Sequence, residues 1–148
     1  MAGNFTQQHQ QEVMRYRFGG YSTVVAESTM WAHLYHTTLN DAATPATTGR
    51  VGTTAAGDNY NPVSIPNTTS SWVDPTLASP SATENKLVLT FTTNASTGWN
   101  SPIKSVLITS SSGTGGVSIA WSDLSVQQTV SVGNTVRIST GAIDITLT

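Results

Sequence analysis

The sequence predicts a mainly β protein, an antiparallel β-sandwich or jelly-roll-like domain preceded by a short N-terminal α-helix. Three observations carry that expectation. From Lys86 onward, apolar residues alternate with polar ones in short runs broken by Gly, Asn and Ser, as half-buried strands joined by tight turns require. Ser and Thr occupy 43 of the 148 positions, while charged residues make up only 9%, against about 25% in ordinary globular proteins. Helix formers gather in one place, residues 4 to 18.

The N-terminal segment runs Asn4-Phe5-Thr6-Gln7 through Arg15-Tyr16-Arg17-Phe18. Asn4 is a fitting N-cap, with Gln7 three positions later to complete a capping-box-like pair. Arg15 and Arg17 fall in the last turn, where the helix dipole favours cations, and Gly19-Gly20 supplies a stop. Its apolar residues are sparse, namely Phe5, Val13, Met14, Tyr16 and Phe18. So short a helix is marginal alone and must dock on its own domain or on a neighbour. The expected division is a helical docking arm over 1–20 and a β-sandwich domain over 21–148, with the domain folding without the arm.

Within the domain, Thr29–Thr37 reads as a strand apolar on both faces. Residues 39–85 are mostly loop, with short extended pieces near Tyr60–Ile65 and Ser70–Val73. Leu87, Leu89 and Phe91 alternate with Val88, Thr90 and Thr92, and Pro102–Thr109 is a second two-sided strand. Ser110–Gly116 reads as a flexible loop. Val117, Ile119 and Trp121 share a phase, which sends Trp121 to the core. Val126, Val130 and Val132 follow, then Val136 and Ile138, then Ile143, Ile145 and Leu147.

Register arithmetic joins the last runs into hairpins. A two-residue Thr140-Gly141 turn places Ile138 opposite Ile143, Val136 opposite Ile145 and Arg137 opposite Asp144. A three-residue Gly133-Asn134-Thr135 loop places Val132 opposite Val136 and Val130 opposite Ile138.

Composition limits the chemistry. Without cysteine there is neither a disulfide framework nor a thiolate metal site. A net charge of −2 with no basic stripe argues against nucleic acid as a partner. No apolar run reaches the length of a membrane span and no basic segment precedes an apolar one, so the expectation is a soluble chain without an export signal and without a membrane partner. Low charge with many hydroxyls suits a sheet surface that meets proteins or saccharides.

No catalytic constellation emerges. Among 18 serines a Ser near a His is expected by chance, and no Gly-x-Ser-x-Gly elbow occurs. His33 and His36, three apart on a strand, leave opposite faces and cannot share an ion; His9 stands on the helix without a second ligand in its turn. No spacing nominates a pair of carboxylates for glycoside hydrolysis. The expectation is no enzyme, no metal and no cofactor. Trp31, Trp72, Trp99 and Trp121 could stack on sugars, although packing is the commoner use of tryptophan. Trp72 and Trp99, both beside loops, join Phe5, Val13, Tyr16 and Phe18 as the expected subunit or capsid contacts.

Several stretches carry a resemblance. Leu34-Tyr35-His36-Thr37, Asp41-Ala42-Ala43-Thr44, Pro66-Asn67-Thr68-Thr69-Ser70-Ser71-Trp72, Trp99-Asn100-Ser101-Pro102-Ile103-Lys104-Ser105-Val106, Ser131–Val136 and Gly141–Leu147 follow one another in an order that resembles small Thr-rich virion structural proteins of tailed bacteriophages. Such proteins are described as tail fibre, minor tail or capsid decoration proteins. The resemblance implies a virion component made in the host cytoplasm, with the major capsid protein or other virion proteins as partners. It implies a homo-oligomer too, a trimer being favoured. The expected role is a capsid decoration (cement) protein, because a short chain lacks the repetitive shaft of a fibre. A tail fibre, collar or baseplate component, touching host glycans, is the alternative, and a carbohydrate-binding module is a further one.

Overall fold

The computed structural model describes residues 2–18, 27–52, 60–75, 81–93 and 99–147. In chain order these form β1 (Ala2–Phe5), α1 (Gln7–Phe18), β2 (Thr29–Tyr35), β3 (Val63–Pro66), β4 (Ser81–Glu84), β5 (Leu89–Thr92), β6 (Trp99–Thr109), β7 (Ser118–Val130), β8 (Thr135–Ile138) and β9 (Asp144–Leu147). Seven strands make one sheet in the order β3-β2-β6-β7-β1-β9-β4, and β5 pairs with β8 in a second, two-stranded sheet. The architecture is the sandwich-like β fold with one short N-terminal helix that the sequence predicts. All pairings are antiparallel except β1 with β9.

The main core lies between the sheets. Leu89 and Phe91 of β5 and Val136 and Ile138 of β8 pack against Ala32, Leu34, Ile65, Ile103, Val106 and Ile108 of the large sheet. Fully burying one such side chain is worth about 1.5–3 kcal/mol. The strand at 29–35 and the two-sided strand ending at Thr109 form as expected, and Leu107 leaves the opposite face to meet Tyr35, Leu39 and Ala43 in a second small cluster. Leu89 and Phe91 are both 1% exposed, whereas Leu87 and Val88 precede the strand and stay exposed.

Four expectations need correction. Ala2–Phe5, assigned to the helical arm, is an internal strand: Asn4 and Phe5 pair with Trp121 and Ala120, and Ala2 and Gly3 with Asp144 and Ile145. Asn4 is therefore committed to a ladder, and the cap is Thr6, whose Oγ1 accepts from His9 N at 3.3 Å. Removing residues 1–20 would take a strand out of the middle of the sheet. The Gly19-Gly20 stop lies outside the described residues.

The second correction concerns Trp121. A β-bulge falls where Ile108 pairs with Ala120 but Thr109 pairs with Ser118, so Ile119 is the extra residue. Both Ile119 and Ala120 then join the main core, and Trp121 turns to the other face beside Leu107. Strict alternation cannot anticipate that slip.

The last two corrections are the hairpins. Turns do form, with Ala142 N donating to Ser139 O at 3.1 Å and Asn134 N to Ser131 O at 3.1 Å. The second is centred on Val132-Gly133 rather than on Gly133–Thr135. Gly133 and Gly141 supply the positive φ that these turns need (75° and 69°). The flanking strands nevertheless pair elsewhere: Ile138 faces Leu89, Arg137 faces Thr90, Val136 faces Phe91, and Asp144 faces Glu84.

Asn85 is the physical reason at the later turn. Wholly buried, it sits in the mouth of residues 139–143. Its Oδ1 accepts from Ile143 N (2.8 Å), its Nδ2 donates to Ser139 O (3.0 Å) and Leu87 O (2.8 Å), and its backbone N and O bond Ile143 O and Gly141 N. The hydrogen bonds that two hairpin arms would exchange go to Asn85 instead. The arms part, β8 to the small sheet and β9 to the large one.

Asn85→Ala removes three side-chain hydrogen bonds and leaves buried backbone groups unpaired, so it should destabilise the fold by about 3 kcal/mol. Urea unfolding checks this as a lower midpoint at unchanged slope.

Candidate functional site

The face of the large sheet opposite the main core is polar and mostly covered. Register places His33 beside Leu107 and Tyr35 beside Ser105 on this face, with Trp121 and Asp123 across from Leu107 and Ser105. His33, Ser105 and Thr109 are 0% exposed. Loops at 37–48 and 110–116 close over them.

Most of these polar side chains are engaged, largely with backbone, although His33 Nδ1 is buried without a hydrogen-bond partner. Ser105 Oγ lies 2.6 Å from both Thr37 O and Asp123 Oδ1, sharing one hydroxyl proton between two acceptors, and Asp123 Oδ1 also accepts from Leu39 N. Asp41 Oδ1 accepts from Trp121 Nε1 at 3.0 Å, and Asp41 O from Gln7 N at 2.7 Å. His33 Nε2 donates to Ser111 O (3.0 Å), and Arg50 Nη2 to Ser112 O (2.8 Å). The 110–116 loop, expected to be flexible, is thus held by two buried side chains.

The serine–carboxylate contact has no histidine to work with. His33 is directed at Ser111 O and His36 at Pro102 O, and His36 follows β2 rather than lying in it. Among the described residues no group of three or more His, Asp or Glu could hold a metal ion. No helix there is long and apolar enough to cross a membrane.

Burial shapes the ionisable groups here, Tyr35 and His33 on this face and Tyr60 on the main-core side. It pushes Tyr35 up to about 12 and raises Tyr60, whose hydroxyl oxygen accepts from Leu34 N at 2.7 Å. Burial lowers His33 from 6.5 to about 4; the hydrogen bond to Ser111 O opposes the shift and the Arg50 charge adds to it.

The expected contact residues divide. Trp72 is 8% exposed and Trp99 2%, and both belong to the main core, Trp99 edge-on to Tyr60 at 5.7 Å. In this chain both serve core packing. Phe5 is half-buried, packs against the core and stacks on His9 at 4.8 Å. Val13 and Phe18 are exposed, 41% and 81%, and the Tyr16 side chain lies outside the described residues.

Among the described residues α1 carries three of the exposed large apolar side chains, the others being Leu87, Val88, Val126 and Val132. Its first turn is tied down: Thr6 N donates to Ile119 O, Thr6 Oγ1 to Ser118 O, and Gln8 Oε1 accepts from Ser118 N at 3.0 Å. Farther along, Val13, Met14 and Phe18 stand exposed. Met14, 57% exposed, was absent from the expected contacts, although its four-residue spacing from Phe18 puts the two on one helix face.

Fold and site together define a β-sandwich protein whose polar face is closed by its own loops and whose exposed helix carries apolar side chains. The family model described as Podophage GP4 fiber I protein gp80 matches residues 4–146, and the chain belongs to that family. It is a fibre-type virion protein of phage. No curated protein matches it.

The His33 environment predicts a pH dependence. The unfolded chain takes up a proton on His33 below about pH 6.5 while the folded chain resists until about pH 4. This contribution to stability is complete above 6.5 and is lost on acidification through that window, at up to about 1.4 kcal/mol per pH unit. His33→Gln, a neutral donor, should flatten the fall of melting temperature between pH 6.5 and 4 relative to the parent protein.

Proposed function

We propose that the protein is a tail component of a tailed phage, a non-enzymatic and homo-oligomeric fibre-type subunit that docks on other virion proteins through α1. The observation that carries the reading is the exposure of Val13, Met14 and Phe18 on a helix whose first turn is fixed to the sheet. A helix needs burial to persist, and its apolar side chains supply that burial only against another chain. The anchored first turn sets where the contact is made.

Membership of a fibre family favours the tail over the capsid decoration role expected from chain length alone. A fibre can be assembled from several chains, so a single short chain without a shaft is no obstacle. Burial of Trp72 and Trp99 also removes two of the four aromatics that made a sugar-binding module worth weighing.

Quantitative mass spectrometry of purified particles tests the placement. A tail component occurs at a copy number far below that of the major shell protein; stoichiometry comparable with the shell would return the protein to the capsid surface.

Docking is tested by Met14→Ser with Phe18→Ser. Both side chains are exposed, so the melting temperature should hold while attachment to particles lacking the protein weakens by at least about tenfold, roughly 1.4 kcal/mol. Normal attachment by the double variant would remove α1 from the interface.

A further inference from the structure

We propose that the outer edge of β7 from Leu124 to Val130 is a strand-addition surface for a second copy of this chain, paired antiparallel about a two-fold axis at Gln127. The inference is independent of the role given to α1.

β7 is 13 residues long, yet β1 accompanies its outer edge only at Ala120 and Trp121. From Leu124 onward that edge has no strand beside it among the described residues; β6 lies on the other side, with Trp99 opposite Val130 and Ile103 opposite Gln128. Residues 125–129 are all exposed, and Val126 is 67% exposed. Unpaired N–H and C=O groups on a long exposed strand are a template for another strand.

The other edges of the sheet carry guards that this one lacks. β3 is four residues long, ends in Pro66 and follows Pro62, and β4 is four residues long and ends in Glu84. Proline, brevity and charge are the usual means of blunting an edge. Leu124-Ser125-Val126-Gln127-Gln128-Thr129-Val130 contains no proline, glycine or charge and is rich in branched residues.

Self-complementarity is what selects a second copy as the occupant. In a two-fold antiparallel pair centred on Gln127 that residue meets its own copy and every other residue meets the one placed symmetrically about it, so the segment must match itself in reverse. Here Gln127 would meet Gln127, Val126 would meet Gln128, Ser125 would meet Thr129 and Leu124 would meet Val130. These are amide, hydroxyl and apolar pairings without a conflicting charge. A single strand pair buries less than a standard interface, so the association should be reversible and concentration-dependent.

The test is light-scattering mass across a dilution series of the full chain and of Val126→Lys/Gln128→Lys, which sets lysine against lysine across the axis. Whatever oligomer α1 builds, loss of a two-fold contact halves the largest mass reached. Unchanged circular dichroism and melting temperature establish that the exposed substitutions leave the fold intact. Mixing the lysine variant with Val126→Glu/Gln128→Glu should restore the parental mass, because opposite charges then face each other. Equal masses for parent and lysine variant at every concentration would overturn the proposal. So would amide hydrogen exchange showing residues 124–129 protected in assembled particles but open in the purified chain at the concentration where its largest mass is reached, since the edge would then belong to a different virion protein.

Discussion

The hydrogen bonds of Asn85 are the constraint on which the rest of the molecule depends. One buried amide occupies the mouth of the 139–143 turn and bonds to both of its sides. Because it does so, β8 goes to β5 and closes the core from above, while β9 remains in the large sheet between β4 and β1. β1 in turn lies against β7, and α1 begins at Thr6 directly after it. The position from which the helix leaves the sheet is therefore set by a contact far from it in sequence. A buried polar group of this kind gives specificity: it stabilises one pairing of strands and leaves the alternative without partners.

What was legible in the sequence follows from local periodicity. Leu89 and Phe91, the two-sided strand through Val106, Leu107 and Ile108, and the apolar strand at 29–35 all lie where alternation puts them. The illegible parts are non-local. Val136 with Ile145 and Ile138 with Ile143 make an apolar register as consistent as the one observed with Phe91 and Leu89. Periodicity cannot choose between them, and Asn85 reads as one more loop asparagine. A four-residue strand such as Ala2–Phe5 shows too little alternation to be seen beside a strong helical pattern, and the bulge at Ile119 moves Trp121 to the opposite face without any change in composition.

The candidate contacts were partly legible for the same reason. Aromatics beside loops looked like surface, but Trp72 is bridged to Asn85 and Trp99 opens β6 against Val130, so both are drawn into the core by strand pairing. Helical residues were easier to read, because a short helix held only by its first turn has few places to bury its later side chains. The polar face is more instructive still. Its Ser, Asp, His and Arg side chains, which on composition alone could be mistaken for a reactive cluster, hold the covering loops down. The abundance of hydroxyls across the chain accords with that use.

The proposed docking element is the exposed end of a helix anchored by Thr6 and Gln8, on a fibre-type virion protein. An electron cryo-microscopy map of the intact particle tests this most directly. It should show the protein in the tail, with Met14 and Phe18 of α1 buried against a neighbouring chain. Density for the protein on the capsid shell, or α1 standing free in solvent within the assembled tail, would contradict it.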